Sequence, residues 1–371
     1  MRTVLIAAAG TGGHVFPALA VAEQLRDFGW RVIWLGTDEG RLESRVVPAA
    51  GFELQTITMQ GLRGKGLARK VSLPWTLWQA TRAAKKILQA QQVQLVLSFG
   101  GYVCAPAGLA ARWLGVPLLV HEQNAIAGLT NRLLARLATH TMVGFAAARQ
   151  QLPQAEVTGN PLRREWQQAA TNTNSGTSKS LRILVVGGSL GAQALNQHVP
   201  AVLAQLAERL KQPLAVTHQC GRERAAEVRD RYQALALEQV QVTEFIDDMH
   251  SAYSAADIVI CRAGALTVAE LAMLGKVAVF VPLPHAVDDH QTANARELVR
   301  AGAAMLLPQT ELQQQAPLLQ QLLQLSEPSV RHEMQQRAQA AAFPQATQRV
   351  VENCERYANP EQMKAGHYDA N

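Results

Sequence analysis

The sequence predicts an α/β protein built as two doubly wound, mainly parallel-sheet domains, and three observations lead there. Residues 2–19, RTVLIAAAGTGGHVFPAL, and 181–196, LRILVVGGSLGAQALN, share one grammar: an apolar β-type run, a glycine-rich turn, then a helix start. Short β-rich runs alternate with helix-length segments along both halves, the pattern of helices covering both faces of a parallel sheet. At 371 residues the chain exceeds one ordinary core and suits two domains.

In the first half, residues 2–9, 31–36, 93–99, 116–121 and 140–144 read as strands. Residues 16–28, 42–50, 74–91, 104–114 and 126–138 carry helical spacing or helix-favouring composition. The second half repeats the alternation, with strands near 181–187, 214–219, 240–245, 257–261, 277–281 and 303–307. Its helices fall at 191–210, 222–235, 264–274, 290–301 and 310–325, and the Gln- and Ala-rich stretch from Pro328 reads as helical to about Tyr357. The polar run 167–180, QQAATNTNSGTSKS, lacks apolar periodicity and reads as a surface segment just past a domain boundary; the last dozen residues read as a frayed tail.

Composition narrows the class. Nearly half of the residues are apolar, enough to fill two cores. Cys104, Cys220, Cys261 and Cys354 are scattered without a C-x-x-C pair, which argues against a disulfide framework or zinc knot and for a reducing cytosol. The apolar run Val4–Ala9 is shorter than a signal-peptide core, and no stretch reaches the ~20 apolar residues of a membrane span, so the expectation is a protein neither secreted nor integral. The net charge of +6 is unevenly placed. From Leu54 to His121 there is no acidic residue, while Arg63, Lys65, Arg69, Lys70, Arg82, Lys85, Lys86 and Arg112 alternate with apolar residues that include Trp75, Trp78 and Trp113. That mixture has two readings: a peripheral surface facing anionic lipid headgroups, or a solvated basic helix with its tryptophans turned into the core.

The glycine turns carry the chemistry. A helix N-terminus presents unpaired N–H groups and the positive end of its dipole, and glycine lets the backbone approach a phosphate closely. Two such turns, in equivalent places of two half-chains, can face one cleft and grip an anionic nucleotide, although each could be turn chemistry alone. The first, Gly10-Thr11-Gly12-Gly13-His14, is not a dinucleotide fingerprint, because Val15 stands where the third glycine belongs, and Asp38 and Glu39 lie late for a ribose ligand. A nicotinamide-dependent oxidoreductase is thereby disfavoured. Gly264-Ala265-Leu266-Thr267-Val268-Ala269-Glu270 opens another helix, with Glu270 placed to accept both ribose hydroxyls or, alternatively, to complement the dipole. His121-Glu122-Gln123-Asn124, the Gly100-Gly101-Tyr102 turn and the polar run His285–Asn294 all end strands, where α/β sheets bind ligands. No D-x-D, H-E-x-x-H or Cys/His cluster is present, so metal and cofactor are both expected to be absent.

In this order, GTGGHVFPALA (10–20), GGYVCAPAGLAA (100–111), HEQNAIAGLTN (121–131), TGNPLR (158–163), GGSLGAQALN (187–196), EFIDDM (244–249), CRAGALTVAEL (261–271) and DDHQTANA (288–295) resemble the MurG family of GT-B glycosyltransferases from Val4 to about Glu355. The resemblance implies a GT-B fold of two Rossmann-like domains facing a central cleft. Residues 1–162, with a helix at about 343–358 packing back, would bind acceptor and membrane; residues 163–342 would bind the UDP-sugar; residues 359–371 would be a tail. It implies an inverting hexosyltransferase that moves N-acetylglucosamine from UDP-N-acetylglucosamine to the C4 hydroxyl of lipid I, giving lipid II for the cell wall. The implied place is the cytoplasmic face of the inner membrane, peripherally, with an anionic lipid surface as partner and no nucleic acid. Cell shape and division would depend on it.

The same resemblance carries roles onto residues. Glu270 would hold the ribose, with Ala265, Leu266, Thr267, Val268 and Ala269 around the uridine, and the Ile246 backbone would meet the uracil. Thr11, Gly12, Gly13 and Ser189 match donor-binding loops, Arg163 a donor-contacting arginine at the domain junction, and Asn124 and Gln291 positions near the transferred sugar. Ala9 stands where many relatives have glycine, and His290-Gln291 where some have two glutamines. His14 is the candidate base, Glu122 the alternative, and Tyr102 a group that orients the acceptor. Arg69, Lys70, Trp75, Trp78, Arg82, Lys85 and Lys86 are the expected membrane residues. A nucleotide-sugar binding protein without turnover is the remaining alternative.

Overall fold

The computed structural model describes residues 1–38, 42–59, 67–168, 180–188, 191–284 and 289–358, with side chains left out at 67–73 and at 168. Of the surface segment expected at 167–180, residues 169–179 lie outside the described residues, as do the expected tail, Glu39, Ser189, His285–Asp288 and the side chains of Arg69 and Lys70; Gln167 and Gln168 end a short helix.

The chain divides into two compact units, Met1–Arg163 with the chain from Phe343 onward, and Arg164–Ala342. The first unit runs β1 (Thr3–Ala8), α1 (Gly12–Asp27), β2 (Arg31–Thr37), α2 (Leu42–Ala49), β3 (Glu53–Ile57), α3 (Leu67–Ala90), β4 (Leu95–Gly100), α4 (Cys104–Leu114), β5 (Leu118–Glu122), α5 (Leu129–Ala135), β6 (His140–Val143) and β7 (Glu156–Val157). All neighbouring strands pair in parallel in the order β3-β2-β1-β4-β5-β6-β7. Strands β1, β4 and β5 are buried along their whole length, because helices cover both faces. Their residues alternate between two cores: Val4 and Ile6 join the α1 side, Leu5 and Ala7 the side of α3 and α4.

The second unit opens on α6 (Arg164–Gln168) and continues β8 (Leu181–Val186), α7 (Gln193–Leu210), β9 (Leu214–Gln219), α8 (Ala225–Ala234), β10 (Val240–Thr243), α9 (Met249–Ala255), β11 (Ile258–Cys261), α10 (Ala265–Met273), β12 (Val277–Phe280), α11 (His290–Arg300), β13 (Ala304–Leu306), α12 (Ala316–Ser326) and α13 (Pro328–Ala340). Its six parallel strands follow the order β10-β9-β8-β11-β12-β13. The helix α14 (Ala346–Ala358) then returns to the first unit, where Val350, Val351 and Cys354 enter the α1-side core. Burying a side chain of that size is worth roughly 1.5–3 kcal/mol, which anchors the return.

Each sheet reverses its direction of winding once, between β1 and β4 and between β8 and β11. At such a point the loops leaving two neighbouring strands diverge and open a crevice at the carboxyl ends. The glycine turns of the sequence emerge there.

Several elements differ from the expected ones. Strand β3 was not expected: it is a polar edge strand in which only Ile57 is fully buried, so its composition carries little β signal. The two-residue β7 is too short to carry a periodic signal. Helix α1 begins at Gly12, four residues early, because Thr11 is already extended and its carbonyl accepts from the amides of His14 and Val15. The segment 310–325 opens as a 3-10 turn, Gln309–Gln314, before α12. The helical tail is two helices, parted at Ala341–Gln345 around Pro344, which cannot continue a helix.

Candidate active site

In the first unit the turn after β1 is braced by a residue that no sequence motif marks. Glu43, fully buried on α2, accepts hydrogen bonds from the Gly10 amide (3.1 Å) and the Thr37 hydroxyl (2.9 Å), tying the turn to the end of β2. Thr11 caps α1 through its backbone, and Gly12 and Gly13 supply the first amides of the helix. His14 lies partly exposed on that first turn, its Nδ1 3.3 Å from the Ala9 carbonyl and 3.4 Å from the Thr11 hydroxyl. A carbonyl only accepts, so a ring bonded to Ala9 carries a proton on Nδ1.

The Gly100-Gly101-Tyr102 turn runs alongside. Gly101 adopts φ +98°, and a Cβ on it would stand 2.5 Å from the Ala9 carbonyl oxygen, so only glycine lets the two strand ends meet. The Nε2 edge of His14 lies against Gly100, at 2.9 Å from where a Cβ would begin. Tyr102 follows, half-buried. Cys104 donates to the Ala7 carbonyl from beneath and accepts from the Gly100 amide; burial pushes its thiol up to about 11, so it stays protonated and structural.

The four polar residues ending β5 divide between scaffold and surface. His121 is fully buried: Nε2 donates to the Gly159 carbonyl (3.0 Å) and Nδ1 accepts from the Gln123 amide (3.1 Å). Burial lowers its pKa to about 4. Glu122 is almost wholly buried. One carboxylate oxygen accepts from the backbone and side-chain amides of Asn124 (2.9 and 3.1 Å), the other from the Gly128 amide and Asn131 Nδ2 (3.0 and 2.9 Å). It shapes the loop from Asn124 to the start of α5. Asn124 is the one member of the four that is partly exposed. Arg163 places its guanidinium 5.6 Å from the centre of the Phe16 ring on α1.

In the second unit the turn after β8 is packed onto the end of β9. Gly191 adopts φ +74°, and a Cβ there would meet the Cys220 carbonyl oxygen at 2.3 Å. Behind it, Asn196 Nδ2 donates to the same carbonyl (2.9 Å), and its Oδ1 accepts from His218 Nε2 (3.1 Å). The Tyr232 hydroxyl then donates to His218 Nδ1 (2.9 Å). Burial lowers the His218 pKa to about 4, which keeps this support neutral.

Gln219, the last residue of β9, reaches both the Gly188 backbone and the Glu244 carbonyl, two residues before the half-exposed Ile246. Helix α10 starts at Ala265 after the extended Gly264, so the amides of Ala265, Leu266 and Thr267 form its positive end. Ala265 and Val268 turn into the core, while Leu266, Thr267, Ala269 and Glu270 stay partly exposed. Asn294 of α11 is buried and donates to the Ala263 carbonyl (3.2 Å), docking α11 against that turn. On the same helix Gln291 accepts from the Leu283 amide (2.9 Å), fixing the strand exit beside it. Among the described residues no group of three or more His, Cys, Asp or Glu is placed as a metal site.

The three tryptophans of the basic stretch, unlike Trp30, Trp34 and Trp166, are not in the core. Trp75 and Trp113 are 61% and 57% exposed and Trp78 41%. The rings of Trp75 and Trp78 stack at 4.8 Å, Arg82 lies over Trp78 at 4.7 Å and Lys85 over Trp113 at 4.1 Å. Lys86 is exposed beside them in sequence. Leu129, Leu133 and Leu137 add exposed apolar surface on and after α5, which periodicity alone did not reveal. Of the two readings of this stretch, the one with its tryptophans turned into the core does not hold, because Ala80, Thr81, Ala84 and Leu88 form the inner face of α3 instead. Among the described residues no helix is long and apolar enough to cross a membrane.

Two parallel-sheet domains, each with a glycine turn at its switch point, form the GT-B fold, and the family matches make the chain a glycosyltransferase of that class. Residues 4–143 match the glycosyltransferase family 28 N-terminal domain and residues 182–350 its C-terminal domain. The chain is 56% identical over 366 residues to the UDP-N-acetylglucosamine–N-acetylmuramyl-(pentapeptide) pyrophosphoryl-undecaprenol N-acetylglucosamine transferase of Idiomarina loihiensis, covering 96% of this chain and 99% of that one. It is 49% identical to the same enzyme of Tolumonas auensis, over 95% and 98%. The crystal structure of Acinetobacter baumannii MurG aligns over 96% of this chain and 99% of that one, with a TM-score of 0.79 and 41% identity. The chain belongs to this family of N-acetylglucosamine transferases.

One prediction follows from the two buried histidines, one in each unit. Each is neutral when folded and takes up a proton near pH 6.5 when unfolded, so below that pH the unfolded chain binds more protons. Stability is therefore full above about pH 6.5 and falls as the pH drops towards 4, by about 3 kcal/mol for each histidine. Urea unfolding across that range is expected to show the loss, and His218→Gln to flatten the slope. A wild-type slope that the substitution leaves unchanged contradicts the assignment.

Proposed function

We propose that the protein transfers N-acetylglucosamine from UDP-N-acetylglucosamine to the C4 hydroxyl of the muramyl sugar of lipid I, forming lipid II. The observation that carries this reading is full-length identity to enzymes named for that transfer, on a chain whose second unit keeps a glycine turn and the α10 N-terminus at one switch point. There Glu270 accepts from the ribose hydroxyls, Ile246 meets the uracil through its backbone, and residues 265–269 surround the uridine. Gly188 and Ser189 meet the phosphates, and Gln291 the sugar. The helix N-termini stabilise the negative charge of departing UDP.

In the first unit, His14 takes the proton from the attacking hydroxyl, since its imidazole stands at the partly exposed start of α1 with Nδ1 turned to the Ala9 carbonyl. Glu122 is the weaker candidate, because its carboxylate is buried and already accepts four hydrogen bonds. Tyr102 orients the acceptor, Asn124 lies near the transferred sugar, and the amides of Gly12 and Gly13, with Thr11 and Arg163, offer a second anion-binding turn. Attack by one in-line displacement converts an α-linked donor into a β-linked product.

The exposed tryptophans and the bases on them support peripheral attachment to an anionic membrane, the cytoplasmic face of the inner membrane being where this acceptor lies. Trp75→Ala with Trp78→Ala is expected to lower sedimentation with phosphatidylglycerol vesicles at least tenfold, and to spare turnover on a short-chain, water-soluble acceptor. Unchanged vesicle binding rejects this surface as the attachment site.

A further inference from the structure

Gln219 uses every hydrogen-bonding group of its side-chain amide on two loops. Its Oε1 accepts from the Gly188 amide (3.0 Å), while Nε2 donates to the Gly188 carbonyl (3.0 Å) and to the Glu244 carbonyl (2.8 Å). Its own backbone carbonyl accepts from Gly187 (3.1 Å), and the side chain is 3% exposed. The two loops come from separate parts of the chain, the turn after β8 and the segment after β10, and this amide lies between them. The segment beyond Glu244 is held in turn by the Thr243 hydroxyl, which donates to the Phe245 carbonyl (2.8 Å) and so shapes the approach to Ile246.

No other side chain of this length makes the set. A carboxylate accepts from Gly188 but donates to neither carbonyl; a thioether fills the space with no donor; asparagine is one methylene short.

We propose that Gln219 is a positioning residue for the donor, fixing the distance between the phosphate-binding turn and the base-reading segment so that one nucleotide engages both at once. The inference rests on the reading of the second unit as the UDP-sugar site and adds the element that couples its two parts. Uridine alone needs only the base-reading segment and α10, whereas UDP also needs the turn. Loss of the bridge therefore weakens UDP more than uridine, because the pyrophosphate no longer arrives where the turn waits. A residue that merely stabilised the fold would leave the ratio of the two affinities unchanged.

The test is calorimetric titration of the full-length protein with UDP and with uridine, on wild type, Gln219→Met and Gln219→Glu. The expected result is a fall in UDP affinity of at least tenfold and in uridine affinity of no more than about threefold in whichever substituted protein retains the wild-type circular dichroism. In turnover, KM for UDP-N-acetylglucosamine rises at least tenfold while kcat changes less than threefold. Equal losses for UDP and uridine, or no loss for either, overturn the proposal alone. A wild-type protein that fails to bind UDP overturns the donor-site reading and this inference with it.

Discussion

Replacing His14 by alanine is expected to lower kcat by about 10²–10⁴-fold and to leave the affinity for UDP within a few-fold of wild type, the range expected when a general base is removed. The geometry gives the reason for the split. Nδ1 is engaged towards the Ala9 carbonyl and Thr11 hydroxyl, which orients the ring and directs the basic nitrogen past Gly100. Removing the imidazole leaves the turn itself intact, because the Gly10 amide is held by Glu43 and the helix by the Thr11 carbonyl. The check is steady-state kinetics with a lipid I analogue, alongside UDP titration of the same protein. Unchanged turnover removes His14 from the chemistry. His14→Gln is expected to be as slow as the alanine form, since glutamine can hydrogen-bond but cannot take the proton at neutral pH.

Glu270→Ala, at the proposed ribose ligand, is expected to show the opposite signature. Two charge-assisted hydrogen bonds to ribose hydroxyls, at about 1.5–3 kcal/mol each, imply a rise in KM for UDP-N-acetylglucosamine of roughly 10²-fold or more. The saturated rate falls much less, because the ribose is remote from the reacting carbon. Glu270→Gln is expected to recover part of the affinity, as its amide oxygen still accepts one hydrogen bond. The readout that separates this role from dipole complementarity is a 2′,3′-dideoxyuridine diphosphate. Wild type and Glu270→Ala should bind it equally if the carboxylate serves the ribose, and unequally if it serves the helix.

Much of this molecule was legible in the sequence because its fold is carried by local patterns. Buried parallel strands read as apolar runs, glycine turns mark where they end, and their repetition in the second half reports a second domain. What escaped is what has no local pattern. Glu43 lies 33 residues from the amide it holds and Gln219 lies 31 from its glycine, each a single polar residue in an ordinary stretch. Gln219 did leave one signal, a polar amide at the carboxyl end of a predicted strand, the place where sites form. The run His121–Asn124 shows the converse error of reading a cluster as one function: strand alternation and burial turn His121 and Gln123 into the scaffold, fix Glu122 as a loop brace and leave Asn124 facing outward. The tryptophans of α3 and α4 could not be placed by periodicity, because small residues, Ala80 and Ala84 among them, suffice to pack the inner face.

The most direct measurement is transfer itself. Purified protein is incubated with UDP-N-acetylglucosamine radiolabelled in the sugar and a lipid I analogue, and the extracted lipid is counted and analysed for linkage. The result expected is label in a lipid-linked disaccharide joined β-1,4, with one UDP released for each sugar moved and none released without acceptor. Release of UDP without a labelled lipid product, or an α-linked product, contradicts the account.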